Sequence, residues 1–248
     1  MGHDNRTFRL GKEMLIRMPS AKCYASKVEI EQTWLPKLSP HVSFEIPKPL
    51  HMGKPSDSYP YNWSIYQWIE GGSLNAIDKN SLNLNLIAKQ LAQFINELHK
   101  IDTTNAPQSG KRTFYRGCSP KFYDEDTRKY IEQLRDIIDV KKALLVWEKA
   151  TSSEWKRQPV WIHGDFAVGN IIIKDGKVNA IIDFGGIAIG DPACDLAMYW
   201  NFFDKQNRNI FKHNMNLDEN TWNRGKVGHY GKLVLKLLIV KIITQVNR

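Results

Sequence analysis

Two aspartates and an asparagine frame a short apolar stretch of the sequence. Asp165, Asn170 and Asp183 lie within "WIHGDFAVGNIIIKDGKVNAIIDFGG", which begins at Trp161. Carboxylate and amide oxygens suit Mg²⁺, an ion that takes its other ligands from water and from substrate phosphates. Thiolates and paired imidazoles, which zinc prefers, are missing from this stretch. The residue types therefore predict a magnesium site, and a role in turn formation is the alternative for each aspartate taken alone.

A predicted β-hairpin connects Asn170 to Asp183. The pair Asp175-Gly176 favours a two-residue type I′ turn, because both residue types accept a positive φ. With this turn, Asn170 faces Ile181 across the ribbon, and Asp183 lies two positions further on. Diagonal neighbours in a sheet are ~7 to 8 Å apart, a distance that one cation can bridge. We therefore expect Asn170 and Asp183 to share the open end of the hairpin.

The elements that must position this hairpin change in character along the chain. The segments "RTFRLG" and "MLIRMP" predict an antiparallel hairpin, and "WSIYQWIEGG" predicts a strand that ends at a glycine pair. Between them, the apolar spacing predicts a helix from Ala25 to Leu35 that ends before Pro36. Beyond Gly72 the apolar period is helical, in "SLNLNLIAKQLAQFINELHK", "DTRKYIEQLRDIIDVKKALLVWEKA" and "PACDLAMYWNFF". Gly72 is therefore the predicted lobe boundary.

Several motifs together resemble the aminoglycoside phosphotransferase family, small-molecule kinases with a protein-kinase-like fold. They are "HGDFAVGN", "IIDFGG" ten residues later, "GDPACDLA", "LHKID" and "GHDNRTFRLG". The resemblance covers roughly residues 2 to 226. It implies an α+β, two-lobe fold with a small, β-rich N-lobe over residues 1–72 that binds nucleotide. Residues 73–226 would form a mainly helical C-lobe that carries the catalytic hairpin and the substrate site.

The resemblance also implies roles for the polar residues of the hairpin region. Asp165 would accept or orient the proton of the substrate hydroxyl that attacks the γ-phosphate of ATP. Asn170 and Asp183 would hold Mg²⁺ against the triphosphate, where positioning and charge neutralisation supply most of the catalysis. His163 would hold the loop by hydrogen bonding.

Two further aspartates are expected to support the site. Asp191 precedes Pro192, a combination that favours the start of a helix, so we expect Asp191 to cap one. Asp195 matches a further acidic position of the family pattern and is expected to support the catalytic loop.

The nucleotide-binding residues are implied by the same resemblance. Arg17 stands where the family often has a lysine, and arginine binds phosphate as a wider planar fork. Glu31 resembles its ion-pair partner and fits the family spacing better than Glu29. The backbone near Gln67 to Ile69, around Trp68, would hydrogen-bond adenine. A solvated surface pair is the alternative for Arg17 and Glu31.

Composition sets limits on the remaining possibilities. The 248 residues are 42% hydrophobic and 25% charged, which is typical of a soluble globular protein, and no window is apolar enough for a membrane span. The sequence also lacks a signal-peptide pattern, so a cytoplasmic location is expected. Three separated cysteines predict neither a disulfide framework nor a zinc site. The net charge of +9 comes from scattered basic residues, so nucleic acid is not an expected partner.

Both ends of the chain depart from the family pattern. Met1 comes almost at the nucleotide loop, so an edge strand of the family is expected to be missing. From about Val227 the residues 227–248 are atypical, and codons permitted for them encode a tryptophan-rich helix in another frame. An out-of-frame tail is therefore one hypothesis and a divergent terminal helix is the other.

The sequence as a whole predicts an ATP- and Mg²⁺-dependent phosphotransferase that acts on a hydroxyl of a small molecule, of the aminoglycoside type or related. A protein kinase is disfavoured, because "HGDFAVGN" lacks the arginine of H-R-D and no A-P-E segment follows. The alternative is a catalytically impaired remnant, or a non-catalytic binding protein of the same fold.

Overall fold

A computed structural model describes residues 4–228 of the chain. Strands and helices follow one another as β1 Asn5–Leu10, β2 Met14–Pro19, α1 Lys22–Leu38, β3 Pro49–Gly53, β4 Trp63–Gln67, β5 Gly72–Ser73, α2 Leu84–Leu98, α3 Asp124–Gln133, α4 Val140–Thr151, β6 Val160–Ile162, β7 Ile171–Lys174, β8 Lys177–Ile181, β9 Ala188–Gly190, α5 Ala197–Asn201 and α6 Lys205–His213. Residues 219–228 are also helical. The chain forms two compact units, one of residues 4–102 and 167–187, the other of residues 103–166 and 188–228.

The first unit begins with a four-stranded sheet in the order β1-β2-β4-β3. Strands β1 and β2 pair antiparallel from Asn5↔Pro19 to Leu10↔Met14, so the predicted hairpin is confirmed. Strand β4 pairs with β2 through Ile16↔Ile65 and with β3 on its other edge. Helix α1 packs against this sheet, which places Arg17 of β2 beside the helix.

Helix α1 is longer than the sequence predicts. It runs from Lys22 to Leu38 and contains Pro36, so the prediction that it ends at Leu35 is wrong. Proline removes one helical N–H donor, and its ring crowds the carbonyl four residues earlier, here that of Gln32, so another interaction must offset this cost. Leu35 and Leu38 are each 1% exposed, so burial of these side chains holds the last turn in helical form.

Helix α2 provides the core of the first unit. Asn83 caps its start by accepting a hydrogen bond from the Leu86 N–H at 3.1 Å. One helical face is fully buried, as the apolar period predicts, through Ile87, Ala88, Leu91, Ala92, Phe94, Ile95 and Leu98. Helix α2 contacts β8 of a second sheet, whose strand order is β5-β7-β8.

The second unit is mainly helical. Helices α3 and α4 pack together around Ile131 and Trp147, and Val227 joins their core. Strands β6 and β9 form a short antiparallel ribbon from Val160↔Gly190 to Ile162↔Ala188. This ribbon leads directly to Asp165 at one end and to Asp191 at the other.

The combination of sheets and helices confirms the predicted α+β class. No helix in the part of the chain that the structure describes is long and apolar enough to cross a membrane. Cys23, Cys118 and Cys194 are free thiols. The predicted lobe boundaries stay a prediction, and residues 229–248 of the predicted tail lie outside the described residues.

Candidate active site

The hairpin of β7 and β8 contains a β-bulge that the sequence does not predict. Its turn is as expected, because Asp175 and Gly176 have φ values of 50° and 73°. The cross-strand pairs are Lys174↔Lys177, Ile173↔Val178, Ile172↔Ala180 and Ile171↔Ile181, which leaves Asn179 without an opposite residue. Ile181 is paired with Ile171, so the expectation that it faces Asn170 is wrong by one position.

Hydrogen bonds to other segments explain the bulge. The carbonyl of Asn179 accepts from the Glu45 N–H at 3.1 Å, and its side-chain Nδ2 donates to the Glu70 carbonyl at 3.0 Å. Beyond the bulge, the Ile182 N–H donates to the carbonyl of Asn170 at 2.8 Å. Ile182, and not Ile181, is therefore the residue opposite Asn170. Asp183 comes one position after this partner, whereas a regular ribbon would place it two positions after.

Arg17 bridges two carboxylates in the first unit. Its Nη1 lies 3.2 Å from Glu31 Oε1, and its Nη2 lies 2.7 Å from Asp183 Oδ1. The Arg17 side chain is 15% exposed and that of Glu31 is 5% exposed. Tyr66, from β4, donates its hydroxyl to Glu31 Oε2 at 2.5 Å, which gives that carboxylate a second partner.

The same contacts determine the ionisation of this group. Burial by itself would lower the pKa of Arg17, but the charges of Glu31 and Asp183 outweigh it and raise that pKa. Burial and the charge of Glu31 raise the pKa of Tyr66 well above its ordinary value, so its hydroxyl stays a donor. Arg17 is therefore a permanent cation between two acidic side chains.

The segment after β8 is held tightly in the first unit. Asp183 has a φ of 66°, an uncommon conformation for a residue other than glycine. Phe184 is fully buried, and its ring meets that of Phe94 edge to face at 6.4 Å. A Cβ at Gly185 would lie 2.7 Å from Lys27 Cδ, so helix α1 packs directly on this turn. Packing thus fixes where the Asp183 carboxylate points.

The segment after β4 contains the residues predicted to meet adenine. The N–H groups of Gln67 and Trp68 are already donated, to the carbonyls of Lys48 at 3.0 Å and Glu13 at 2.7 Å. The guanidinium carbon of Arg9 lies 3.7 Å from the Trp68 ring centroid, and the indole Nε1 is buried without a partner among the described residues. Of the three predicted positions, Ile69 is the one whose N–H is not used within the described chain.

In the second unit, Asp195 holds the loop that carries Asp165. The N–H groups of His163 and Gly164 donate to the Asp195 carboxylate at 2.6 and 2.8 Å. Asp195 is 1% exposed, and this burial raises its pKa against the opposing effects of His163 and of the hydrogen bonds. His163 is fully buried and its Nδ1 accepts from the Asp165 N–H at 3.2 Å.

Asp191 has a second partner besides the helix that it caps. Its Oδ1 accepts from the Ala193 N–H at 3.0 Å, which is the capping contact that the sequence predicts. Its Oδ2 accepts from Arg224 Nε at 2.6 Å. The sequence gives no signal for this pair, because the two residues are 33 positions apart.

Arg116 is a further residue that the sequence does not single out. Its Nη1 lies 3.4 Å from Asp165 Oδ1, and both side chains are about one third exposed. Arg116 lies in a loop rich in aromatic and turn residues, where the sequence has no periodic pattern. Nothing local therefore identifies Arg116 as a residue of the site.

The predicted residues thus fall into two groups. In the first unit, Arg17, Glu31 and Asp183 are in contact and Asn170 adjoins them along the hairpin. In the second unit, His163, Asp165 and Asp195 share one loop. The described residues contain no cluster of three or more histidine, cysteine, aspartate or glutamate side chains that could hold a metal ion by itself.

Known proteins resemble this chain in both sequence and fold. A family model described as the phosphotransferase enzyme family matches residues 1–227. An aminoglycoside 3'-phosphotransferase of Salmonella typhimurium is 31% identical over 127 residues, which are 46% of this chain and 42% of the relative. One of Escherichia coli is 29% identical over the same shares. The chain spans about two fifths of the length of these relatives.

Solved structures support the fold. The GDP complex of wild-type aminoglycoside 2'-phosphotransferase-IIIa has a TM-score of 0.75 at 20% identity, covering 96% of this chain and 83% of that chain. Macrolide 2'-phosphotransferase type I has a TM-score of 0.66 at 17% identity, with the same two shares. The predicted protein-kinase-like fold class is confirmed.

Proposed function

The chain belongs to the phosphotransferase enzyme family, and from this membership we propose that it transfers the γ-phosphate of ATP to a hydroxyl group of a small molecule. The observation that carries the proposal is Arg17, held between Glu31 and Asp183. Kinases of this fold require a basic side chain paired with a helix glutamate, together with a metal-binding aspartate after the catalytic hairpin. The first unit of this chain has all three groups, with Arg17 in contact with both acidic side chains.

Arg17 is proposed to bind the nonreacting phosphates of the nucleotide. Its charge is permanent and its planar fork suits paired phosphate oxygens. Glu31 and Tyr66 hold the guanidinium in place, so little reorganisation is required when phosphate binds. Ile69 would supply the backbone N–H for the base, since those of Gln67 and Trp68 are donated elsewhere.

Asn170 and Asp183 fit a magnesium ion. Both offer hard oxygen donors, and the bulge at Asn179 puts them at neighbouring positions of the hairpin. A site with one carboxylate and one amide leaves positions for water and phosphate oxygens, which is the usual coordination of Mg²⁺ in kinases. The ion would neutralise charge on the triphosphate.

Asp165 is proposed to receive the proton of the acceptor. The hydroxyl oxygen bonds to the γ-phosphorus while the bond from that phosphorus to the β,γ-bridging oxygen breaks, and its electron pair leaves with ADP. The hydroxyl proton passes to a carboxylate oxygen of Asp165. His163 and Asp195 would keep the loop in one conformation through the transfer, by the hydrogen bonds they make within it.

A phosphate-transfer assay tests this proposal. The purified chain is incubated with Mg²⁺ and γ-labelled ATP, and with GTP in parallel because one solved relative is a GDP complex, against aminoglycosides, macrolides, amino alcohols and sugars. Labelled product is expected with at least one acceptor and is expected to vanish in Asp165→Asn. Asp175→Asn is the matched control, because it makes the same change at an exposed turn residue. A folded wild-type sample that binds no nucleotide and labels no acceptor would contradict the proposal.

A further inference from the structure

A cation lies beside the proposed catalytic carboxylate. Arg116 Nη1 is 3.4 Å from Asp165 Oδ1, and the two side chains are 36% and 33% exposed. An ion pair with this much solvent contact contributes little to the free energy of folding, because water screens the charges. Stability alone therefore does not account for the position of Arg116.

The backbone around Arg116 is strained. Phe114 and Tyr115 have φ values of 51° and 56°, and Gly117 has a φ of 82°. Left-handed conformations are unfavourable for bulky side chains, and two in succession are rare. Such conformations persist only where surrounding contacts hold them, and they occur mostly at functional sites.

Hydrogen bonds of the buried Thr113, among others, hold this strained loop. Thr113 is 1% exposed, and its Oγ1 lies 3.1 Å from the Gly110 nitrogen and 2.9 Å from the Arg116 carbonyl oxygen. The Tyr115 N–H also donates to the Gly110 carbonyl, at 2.8 Å. These bonds hold the backbone from Gly110 to Arg116 in one conformation, so the direction of the Arg116 side chain from the loop is fixed.

The loop is fastened to the same ribbon that leads to Asp165. The Ser109 N–H donates to the Ile189 carbonyl at 3.1 Å, and the Asp191 N–H donates to the Gly117 carbonyl at 2.8 Å. Ile189 belongs to β9, which pairs with β6, and β6 continues into the loop of Asp165. Both members of the ion pair are thus attached to one short ribbon, which fixes their separation.

We propose that Arg116 is a positioning residue for phosphotransfer, which holds the carboxylate of Asp165 in the orientation that receives the substrate proton. This inference rests on the function proposed above. Arg116 forms and breaks no covalent bond in the reaction: the hydroxyl proton moves to Asp165, and the guanidinium keeps its charge throughout. The strained backbone on both sides of Arg116 allows this cation to reach Asp165 from a segment that is remote in sequence.

Removal and replacement of the guanidinium test the proposal. In Arg116→Ala we expect kcat to fall by about 10- to 100-fold, the range expected for a misplaced catalytic group, with the KM for ATP nearly unchanged. Guanidinium ion at tens of millimolar is expected to restore part of kcat in Arg116→Ala. A purely structural defect would not respond in this way, because guanidinium destabilises folded proteins.

Arg128→Ala is the matched control, because it removes an arginine whose ion pair with Asp124 is similarly exposed, at 43% for each side chain. It should leave kcat unchanged and show no rescue. If Arg116→Ala keeps the wild-type kcat while Asp165→Asn is inactive, the inference is overturned and the proposed function stands. Rescue by guanidinium in both arginine variants would also overturn it.

Inactivity of the wild-type chain toward every acceptor would be a failure of the proposed function, and the inference is then tested by the orientation of the Asp165 carboxylate. Crystal structures of the wild-type chain and of Arg116→Met are expected to show this carboxylate in two different rotamers, because the guanidinium 3.4 Å away is lost in the variant. The same Asp165 rotamer in both structures would overturn the inference without any assay of activity.

Discussion

Asp191 and Arg224 form an almost fully buried ion pair, with Nε 2.6 Å from Oδ2 and side-chain exposures of 6% and 1%. Removing one partner of a buried pair leaves the other charge without compensation, which costs about 3–5 kcal/mol. We therefore expect Arg224→Met to lower the free energy of unfolding by roughly this amount, measured by urea denaturation. Arg128→Met removes an exposed arginine from the same unit and should cost less than about 1 kcal/mol. Equal losses in the two variants would contradict the prediction.

Arg17 contacts two carboxylates at once, and a lysine is able to direct only a single ammonium group. In Arg17→Lys, the contact with either Glu31 or Asp183 is expected to be lost. The dissociation constant for Mg-ATP should then rise about tenfold, equivalent to ~1.4 kcal/mol, and by more in Arg17→Met. Isothermal titration of nucleotide measures this change. Unchanged affinity in Arg17→Met would show that Arg17 does not bind the phosphates.

Local sequence rules predict some features of the fold and the site, whereas other features depend on contacts between distant residues. The turn at Asp175-Gly176 is predicted because its chemistry lies within two residues. The bulge at Asn179 is not predictable in this way, because its side chain bonds to Glu70, 109 positions away. The extension of α1 past Pro36 is likewise not predictable from local rules, because it depends on the burial of Leu35 and Leu38 by the rest of the fold. Residue types reveal the polar groups of the site, whereas Arg116 and Arg224 depend on tertiary contacts that no local pattern encodes.

The bulge at Asn179 allows a test of how the hairpin positions Asp183. Deletion of this residue would leave the cross-strand pairs unchanged, but it would remove the bulge, the local bend that a bulge gives a strand, and the hydrogen bonds from Asn179 to Glu45 and Glu70. We expect phosphate transfer and the Mg²⁺ dependence of nucleotide binding to be lost, by about 100-fold or more, since a displacement near 1 Å already costs this much.

Asn179→Ala is the control for the deletion. It keeps the residue count and removes the side-chain bond to the Glu70 carbonyl, so it should cost about 0.5–1.5 kcal/mol of stability and leave transfer largely intact. A deletion variant that transfers phosphate as fast as Asn179→Ala would show that the bulge does not position Asp183.

His99 predicts a pH dependence of stability. Burial lowers the pKa of His99 from 6.5 to about 4, and its Nε2 has no hydrogen-bond partner among the described residues. Between these two values the unfolded chain binds a proton that the folded chain does not, so stability falls as the pH falls from 6.5 toward 4. The loss is expected to be roughly 2 kcal/mol, measured by urea unfolding at several pH values. His99→Gln should flatten this part of the profile, and an unchanged slope in that variant would refute the assignment.

Arg116 also bears on which acceptors the site accepts. During transfer Asp165 becomes neutral as it takes the proton, whereas Arg116 stays charged, so an ammonium group next to the reacting hydroxyl would face an uncompensated cation. Residues 103–123 add three further basic residues and no acidic ones. We expect an N-acetylated amino sugar to be a better acceptor than its free amine, by about tenfold in kcat/KM, or ~1.4 kcal/mol of repulsion. The preference should shrink in Arg116→Met, and a stronger preference for the amine in the wild-type chain would refute the prediction.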